Sequence, residues 1–148
     1  MDKLDIVTDE SGNEVVLLPE IIFSNKQNIN WNDVEDYLGK YVGELIEIAE
    51  TRDIIYIGNK FPDEYGGSSY TRKTKGARAK AKANAAQGIR EMVEIATDKV
   101  YRENHKEKHS EDAHNGWFYY VTRFAIPLYN NEKKTGEYNV YSACLVVN

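Results

Sequence analysis

All three histidines of the chain, His105, His109 and His114, fall within one short polar segment. Lys106 and Lys108 stand between them, and an aromatic stretch follows directly. Histidine is the side chain that most readily gives and takes protons near neutral pH. This spacing, with cations beside the imidazoles, predicts acid–base chemistry on an anionic substrate.

Metal-independent cleavage of RNA is the reaction that this pattern favours. It needs a base for the 2′-hydroxyl, an acid for the leaving oxygen, and cations or hydroxyls around the phosphorane. We expect His109 or His105 to transfer the protons, in either order, and Tyr141 to donate a hydrogen bond. The candidate phosphate contacts are cationic side chains: Arg72, Lys75, Arg78, Lys80, Lys82, Lys108 and Arg123.

Two considerations weigh against the fullest version of this site. Strand alternation places Thr122 and Arg123 on opposite faces, so both cannot point into one cleft. Histidines in a polar segment are also commonly solvated loop residues, and the tyrosines that follow are ordinary strand formers as well as candidate base-stacking groups.

Other kinds of chemistry have weaker support. His105 and His109 share a helical face, but Lys106 stands where the zinc-protease pattern has glutamate, and no standard ligand spacing is present. Ser142 and Cys144 lack the glycines of a nucleophile elbow. Phosphate-loop and dinucleotide-binding motifs are absent from the sequence, which therefore predicts neither a metal nor a cofactor.

The composition predicts one domain over residues 1–148, with a weakly patterned segment at 1–30 and an α+β core at 31–148. The chain has 148 residues, 41% of them hydrophobic, and a net charge of −5. No apolar run is long enough to cross a bilayer, and the start lacks the apolar region of a secretory signal. The lone Cys144 predicts a buried small side chain and a reducing, cytoplasmic compartment.

Charge is distributed unevenly along the chain. Residues 68–90 carry seven lysines and arginines and no acidic residue. A positive patch on an acidic protein can still contact a phosphate backbone. The alternative is a solvated helix face with no ligand.

The fold class predicted is α+β, with helices packed on a small antiparallel sheet and a long C-terminal β-hairpin. Asn30 or Asn32 is expected to cap the first helix, and Gly88 to bend the second. The expected strands are 15–18, 21–23, 53–58, 117–128 and 137–147; the expected helices are 31–49 and 76–96. Residues 61–69 are expected to be loop, and 98–115 a polar helix or loop. The apolar run that ends at Asn148 suggests a fragment of a longer polypeptide.

Five segments together resemble a known family: IIYIGNKFPDEY, YTRKTKGARAKAKANAAQGIREMVEIAT, ENHKEKH, GWFYYVTRFAIPLY and EYNVYSACLVV. They resemble the large polyvalent protein-associated domains of type three, from phages and conjugative elements of Gram-positive bacteria. The resemblance extends from about Trp31 to Val147. It implies a mobile-element origin and, as partners, other domains of a very long polypeptide.

The arrangement is also similar to that of the barnase, EndoU, colicin and RelE nucleases, which place helices before a four-stranded antiparallel sheet. This similarity implies His109 as the acid–base residue, Lys108 and Arg123 as phosphate contacts, and Tyr141 as a hydroxyl donor. It further implies RNA as substrate and an immunity protein as a partner. The alternative hypothesis is a non-catalytic module that binds nucleic acid or protein through the basic helix that contains Arg72 to Lys82.

Overall fold

The computed structural model of the chain describes residues 3–24, 29–67, 76–103 and 116–148. The described strands are β1 (Ile6–Thr8), β2 (Glu14–Leu17), β3 (Leu45–Glu47), β4 (Ile54–Tyr56), β5 (Thr97–Arg102), β6 (Trp117–Asn130) and β7 (Lys133–Val147). The described α-helices are α1 (Trp31–Leu38), α2 (Phe61–Gly66), α3 (Ala77–Ala85) and α4 (Ile89–Glu94). These elements confirm the α+β class and the long C-terminal hairpin. None of the described helices is long and apolar enough to cross a bilayer.

Strand β6 is the centre of the main sheet. β7 pairs antiparallel along one side of it, from Phe118↔Val147 to Asn130↔Lys133. On the other side, β5 pairs antiparallel with the first half of β6. β2 pairs with the second half in the parallel direction, at Val16↔Phe124, and β1 pairs with β2. The sheet was predicted to be antiparallel and is mixed, because an N-terminal strand pairs in parallel with the half of β6 that β5 leaves unpaired.

Helices α3 and α4 cover one face of this sheet. The buried alanines of α3, among them Ala81 and Ala85, let the helix lie close to Phe124. The Thr122 hydroxyl donates to the carbonyl oxygen of Met92 at 2.7 Å and ties α4 to β6. A 3₁₀ turn over residues 86–88 separates the two helices, which confirms the bend predicted at Gly88.

The helix predicted over residues 31–49 is only half as long. Asn30 caps it as expected, since its side chain accepts from the backbone amides of Asn32 and Asp33. The helix ends at Leu38 and a short 3₁₀ turn follows. Gly43 then adopts a φ of +91°, which stops helical propagation, and the apolar residues beyond it form β3.

Three further predictions about local structure were wrong. Residues 61–66 are helix α2 instead of loop, with a proline in the first turn and Asp63 and Glu64 beside it. Residues 97–102 form strand β5, paired with β6. Residues 21–23 are not a strand, because the amides of Ile22 and Phe23 donate to the buried Asn84 side chain.

Strands β3 and β4 form a separate two-stranded sheet. Asp53, just before β4, connects this small sheet to the main one. Its Oδ2 accepts from the Lys99 ammonium at 2.8 Å and from the Tyr120 hydroxyl at 2.6 Å. The Thr51 hydroxyl donates to the same oxygen at 2.8 Å. One carboxylate thus joins a hairpin to the strands β5 and β6.

Candidate functional site

A cavity of about 740 Å³ lies between the helices and strands β6 and β7. Its size falls within the range of pockets that enclose small ligands. Residues of α3 and α4 line one side of it, and Trp31, Ile57 and α2 line an adjoining part. The wall is mostly apolar because it continues into the core between helix α3 and the sheet.

Two cations of α3, Arg78 and Lys82, line this cavity. Their spacing of four residues places them on one face of the helix. Glu64 of α2 also lines the cavity, so the formal charge of the ionisable side chains described there is positive by one. A pocket with an apolar interior and paired cations suits a ligand that joins an apolar group to an anion.

Burial changes the titration of Lys82. Desolvation lowers the pKa of its ammonium below the ordinary value of 10.5. The ammonium lies 5.0 Å from the centroid of the Tyr65 ring, on which its charge is partly stabilised. The Tyr65 hydroxyl donates to the carbonyl oxygen of Lys82 at 2.5 Å and fixes α2 against α3. Burial raises the pKa of this phenol, so it stays protonated.

The opposite wall is a stretch of six consecutive residues of β7, Tyr141–Val146. Side chains on a strand alternate between faces, so six consecutive lining residues indicate that the backbone of β7 itself forms the wall. β7 pairs with β6 alone among the described strands. No described strand pairs with the other edge of β7, where backbone N–H and C=O groups lie along this stretch.

Tyr141 lies at this wall. Its ring stacks on Phe124, with centroids 5.5 Å apart and an interplanar angle of 17°. Register pairs Phe124 with Tyr141 and Arg123 with Ser142. Tyr141 therefore belongs to the face that the helices cover.

The structure does not bring every predicted residue to this cavity. Arg123 is on the other face of β6 from Thr122, as strand alternation predicted, and only Thr122 lines the cavity. Arg123 and Tyr141 therefore lie on opposite faces of the sheet, and the roles assigned to them stay predictions. Lys80 is not a lining residue either.

The remaining predicted residues lie outside the part of the chain that the structure describes. They are Arg72, Lys75, His105, Lys108, His109 and His114. The roles assigned to them stay predictions.

Sequence reasoning missed Phe61, Glu64 and Tyr65, because the segment that contains them was predicted to be loop. The signal for a helix was present, since Pro62 and two acidic residues follow one another at its start. Cys144 was predicted to be buried and is exposed. It lies on the face of β7 away from Ala143, where β6 and β7 carry no covering helix among the described residues.

The described residues form no metal-binding cluster. In those four ranges, no group of three histidine, cysteine, aspartate or glutamate side chains is placed to hold a metal ion. Compared with family models, with curated proteins and with solved structures, the chain matches none of them. The family resemblance thus depends on the quoted segments alone.

Proposed function

We propose that this chain is an RNA-binding domain and that its cavity holds part of an RNA strand. Of the two hypotheses from the sequence, nuclease and binding module, the geometry of the described residues favours binding. The observation that carries this proposal is that Arg78, Lys82 and Tyr141, three residues selected from the sequence, line one cavity. Cations for the phosphate and rings for the bases are what single-stranded nucleic acid requires.

Metal-independent cleavage is the second candidate function. Trp117 lines the cavity, and the histidine segment ends shortly before it in the sequence. The hypothesis that His109 or His105 acts on RNA bound there comes from the sequence and stays a prediction. A mobile-element origin, other domains of a long polypeptide and an immunity protein as partners remain part of this proposal.

A binding experiment tests the first candidate. We expect purified protein to bind a labelled single-stranded RNA in fluorescence anisotropy. Arg78→Ala and Lys82→Ala should each weaken binding by about 5- to 30-fold, as expected for a lost charge-assisted contact of ~1–2 kcal/mol. Lys80→Ala is the matched control, because it removes the same charge from the same helix without touching the cavity. Equal losses in all three variants would favour a diffuse basic patch over the cavity.

A cleavage experiment separates the two candidates. The wild-type protein, His109→Ala and His105→Ala are incubated with total bacterial RNA and transfer RNA in excess EDTA. Products with cyclic-phosphate ends that disappear in either variant, with affinity retained, would establish the nuclease. RNA that stays intact while it binds with the expected Arg78 and Lys82 dependence would establish the binding module. Failure of folded wild-type protein to bind any RNA would contradict both.

A further inference from the structure

Helix α2 contributes two aromatic rings to the lining of the cavity. Phe61 and Tyr65 lie edge to face, with centroids 5.8 Å apart and an interplanar angle of 65°. Both are only partly buried and both line the cavity. Lys82 adjoins the Tyr65 ring. Two aromatic rings therefore lie next to a cation within one pocket, and either ring can offer its face to a planar group.

The volume of the cavity limits what can enter. About 740 Å³ suits a single small molecule or one residue of a polymer. Bases of an RNA duplex are stacked and paired, whereas those of a single strand or loop can splay out and stack on protein rings. The cavity thus has the size and the surfaces for one unstacked base.

The backbone of β7 supplies hydrogen-bonding groups beside the aromatic rings and the cations. A base presents donors and acceptors along its edge, and the β7 edge that no described strand pairs with carries N–H and C=O groups along Tyr141–Val146. An alkyl chain with an anionic head would match the apolar wall and the cations. Its methylene groups cannot form hydrogen bonds with this polar edge. The combination of ring, cation and strand edge therefore favours a nucleotide over a fatty acid.

We propose that the cavity takes one unpaired nucleotide of an RNA strand, with its base against Phe61 and Tyr65 and its phosphate at Arg78 and Lys82. This inference rests on the proposed RNA binding and narrows the substrate class to RNA with at least one unstacked base. Fully paired duplex RNA, whose bases stay stacked, is excluded from the cavity.

Tryptophan emission provides a direct readout, because both tryptophans of the chain, Trp31 and Trp117, line the cavity. The titrants are a single-stranded RNA, a blunt duplex of the same sequence, adenosine 5′-monophosphate and decanoate. We expect the single strand and the nucleotide to change the emission, and the duplex to bind at least tenfold more weakly than the single strand.

Phe61→Leu removes the ring while it keeps a large apolar side chain. We expect it to weaken binding of the single strand by roughly 5- to 150-fold, the loss typical of one stacked base. Phe61→Tyr keeps the ring and is the matched control, with affinity near that of the wild type. Thermal melting of both variants confirms that they are folded.

The outcomes separate this inference from the proposed function. Single strand and duplex bound equally, or Phe61→Leu without effect, would overturn the unstacked-base site and leave RNA binding intact. Decanoate that changes the emission while no RNA does would overturn both and identify a site for an anionic amphiphile. Binding of the single strand that depends on the Phe61 ring and is lost in the duplex would establish the inference.

Discussion

Asp53 shows how one side chain can hold two sheets together. Three donors converge on its Oδ2, from Lys99, Tyr120 and Thr51. These hydrogen bonds, with the one from Lys99 foremost, lower the pKa of Asp53 from 3.8 to about 2. Burial of the Tyr120 phenol and its bond to Asp53 raise the pKa of that tyrosine, so it remains a donor.

Asp53→Asn should destabilise the fold. The variant keeps an oxygen acceptor but loses the charge, so we expect a free energy of unfolding lower by about 1–3 kcal/mol at pH 6. A carboxyl with a lowered folded pKa stabilises above its unfolded pKa, and that contribution disappears as pH falls. The difference between wild type and variant should therefore shrink between pH 4 and pH 2. Urea unfolding across that range measures it.

The exposed Asp36 on α1 is the control for this measurement. Asp36→Asn removes the same charge from a solvated position, so its unfolding curve should follow that of the wild type at every pH. A difference for Asp53→Asn that stays constant down to pH 2 would show that the carboxylate charge does not strengthen these bonds.

Lys82 should make ligand binding depend on pH. Burial lowers the pKa of its ammonium, so we expect affinity for single-stranded nucleic acid to fall as pH rises from 7 to 10. Lys82→Arg stays charged over this range and should keep its affinity. Glu64, Tyr65, Arg78 and Tyr141 also line the cavity, but only Lys82 differs between the two proteins.

Anisotropy with a 2′-O-methyl oligonucleotide, which resists alkaline hydrolysis, measures this dependence. Lys80→Arg is the control and should behave as the wild type does. Identical pH profiles for wild type and Lys82→Arg would show that Lys82 carries no charge that the ligand uses.

At the scale of elements, the junction between β5 and β6 depends on one glycine. Gly116 has a φ of +102°, and a Cβ there would lie 2.4 Å from the Arg102 carbonyl oxygen. Backbone strain and that overlap should make Gly116→Ala less stable by about 1–3 kcal/mol.

Gly39→Ala is the matched control, because Gly39 has a helical φ of −55° and open space around it. We expect thermal melting to show no loss, or a small gain from the reduced freedom of the unfolded chain. Equal melting temperatures for Gly116→Ala and the wild type would show that the junction can relax around a side chain.

Elements with strong local signals could be predicted from the sequence. The hairpin of β6 and β7 carries long apolar runs around a turn, and the alanine-rich α3 has high intrinsic helix propensity. The short elements around residues 39–47 and 61–66 could not be assigned in the same way. In β3, apolar spacing compatible with a helix is overridden by pairing with β4, a contact that local sequence does not encode.

The candidate site could be predicted only in part, because contacts between distant segments of the chain form it. Arg78 and Lys82 share a helix face at a spacing that is visible in the sequence. The cavity exists because α2 and β7, from distant parts of the chain, meet that helix. Tertiary packing therefore decides which cations line the cavity. The sequence does not contain this information, so Lys80 could not be separated from Arg78 and Lys82.

At the scale of the whole molecule, the net negative charge repels RNA, whereas the cations at the cavity attract it. The protein carries −5 overall, while the cavity carries paired cations. If Arg78 and Lys82 are the phosphate contacts, log K against log salt should have a slope of about −1.4 for a single strand. Arg78→Ala should reduce the slope by about half.

Anisotropy titrations between 50 and 300 mM potassium chloride measure this slope. Lys133, exposed beside the hairpin turn, gives the control variant Lys133→Ala, for which the slope should not change. A slope several times steeper in the wild type would indicate a much longer RNA contact than the cavity provides.

The parallel pairing of β2 with β6 has a consequence for synthesis on the ribosome. Val16 is synthesised 108 residues before its partner Phe124. At about 5–20 residues per second, the nascent N-terminal strands wait roughly 5–20 s for the strand that completes their sheet. During that interval the apolar residues of β2 lack the strand that pairs with them in the folded protein, and we expect them to be open to non-native contacts.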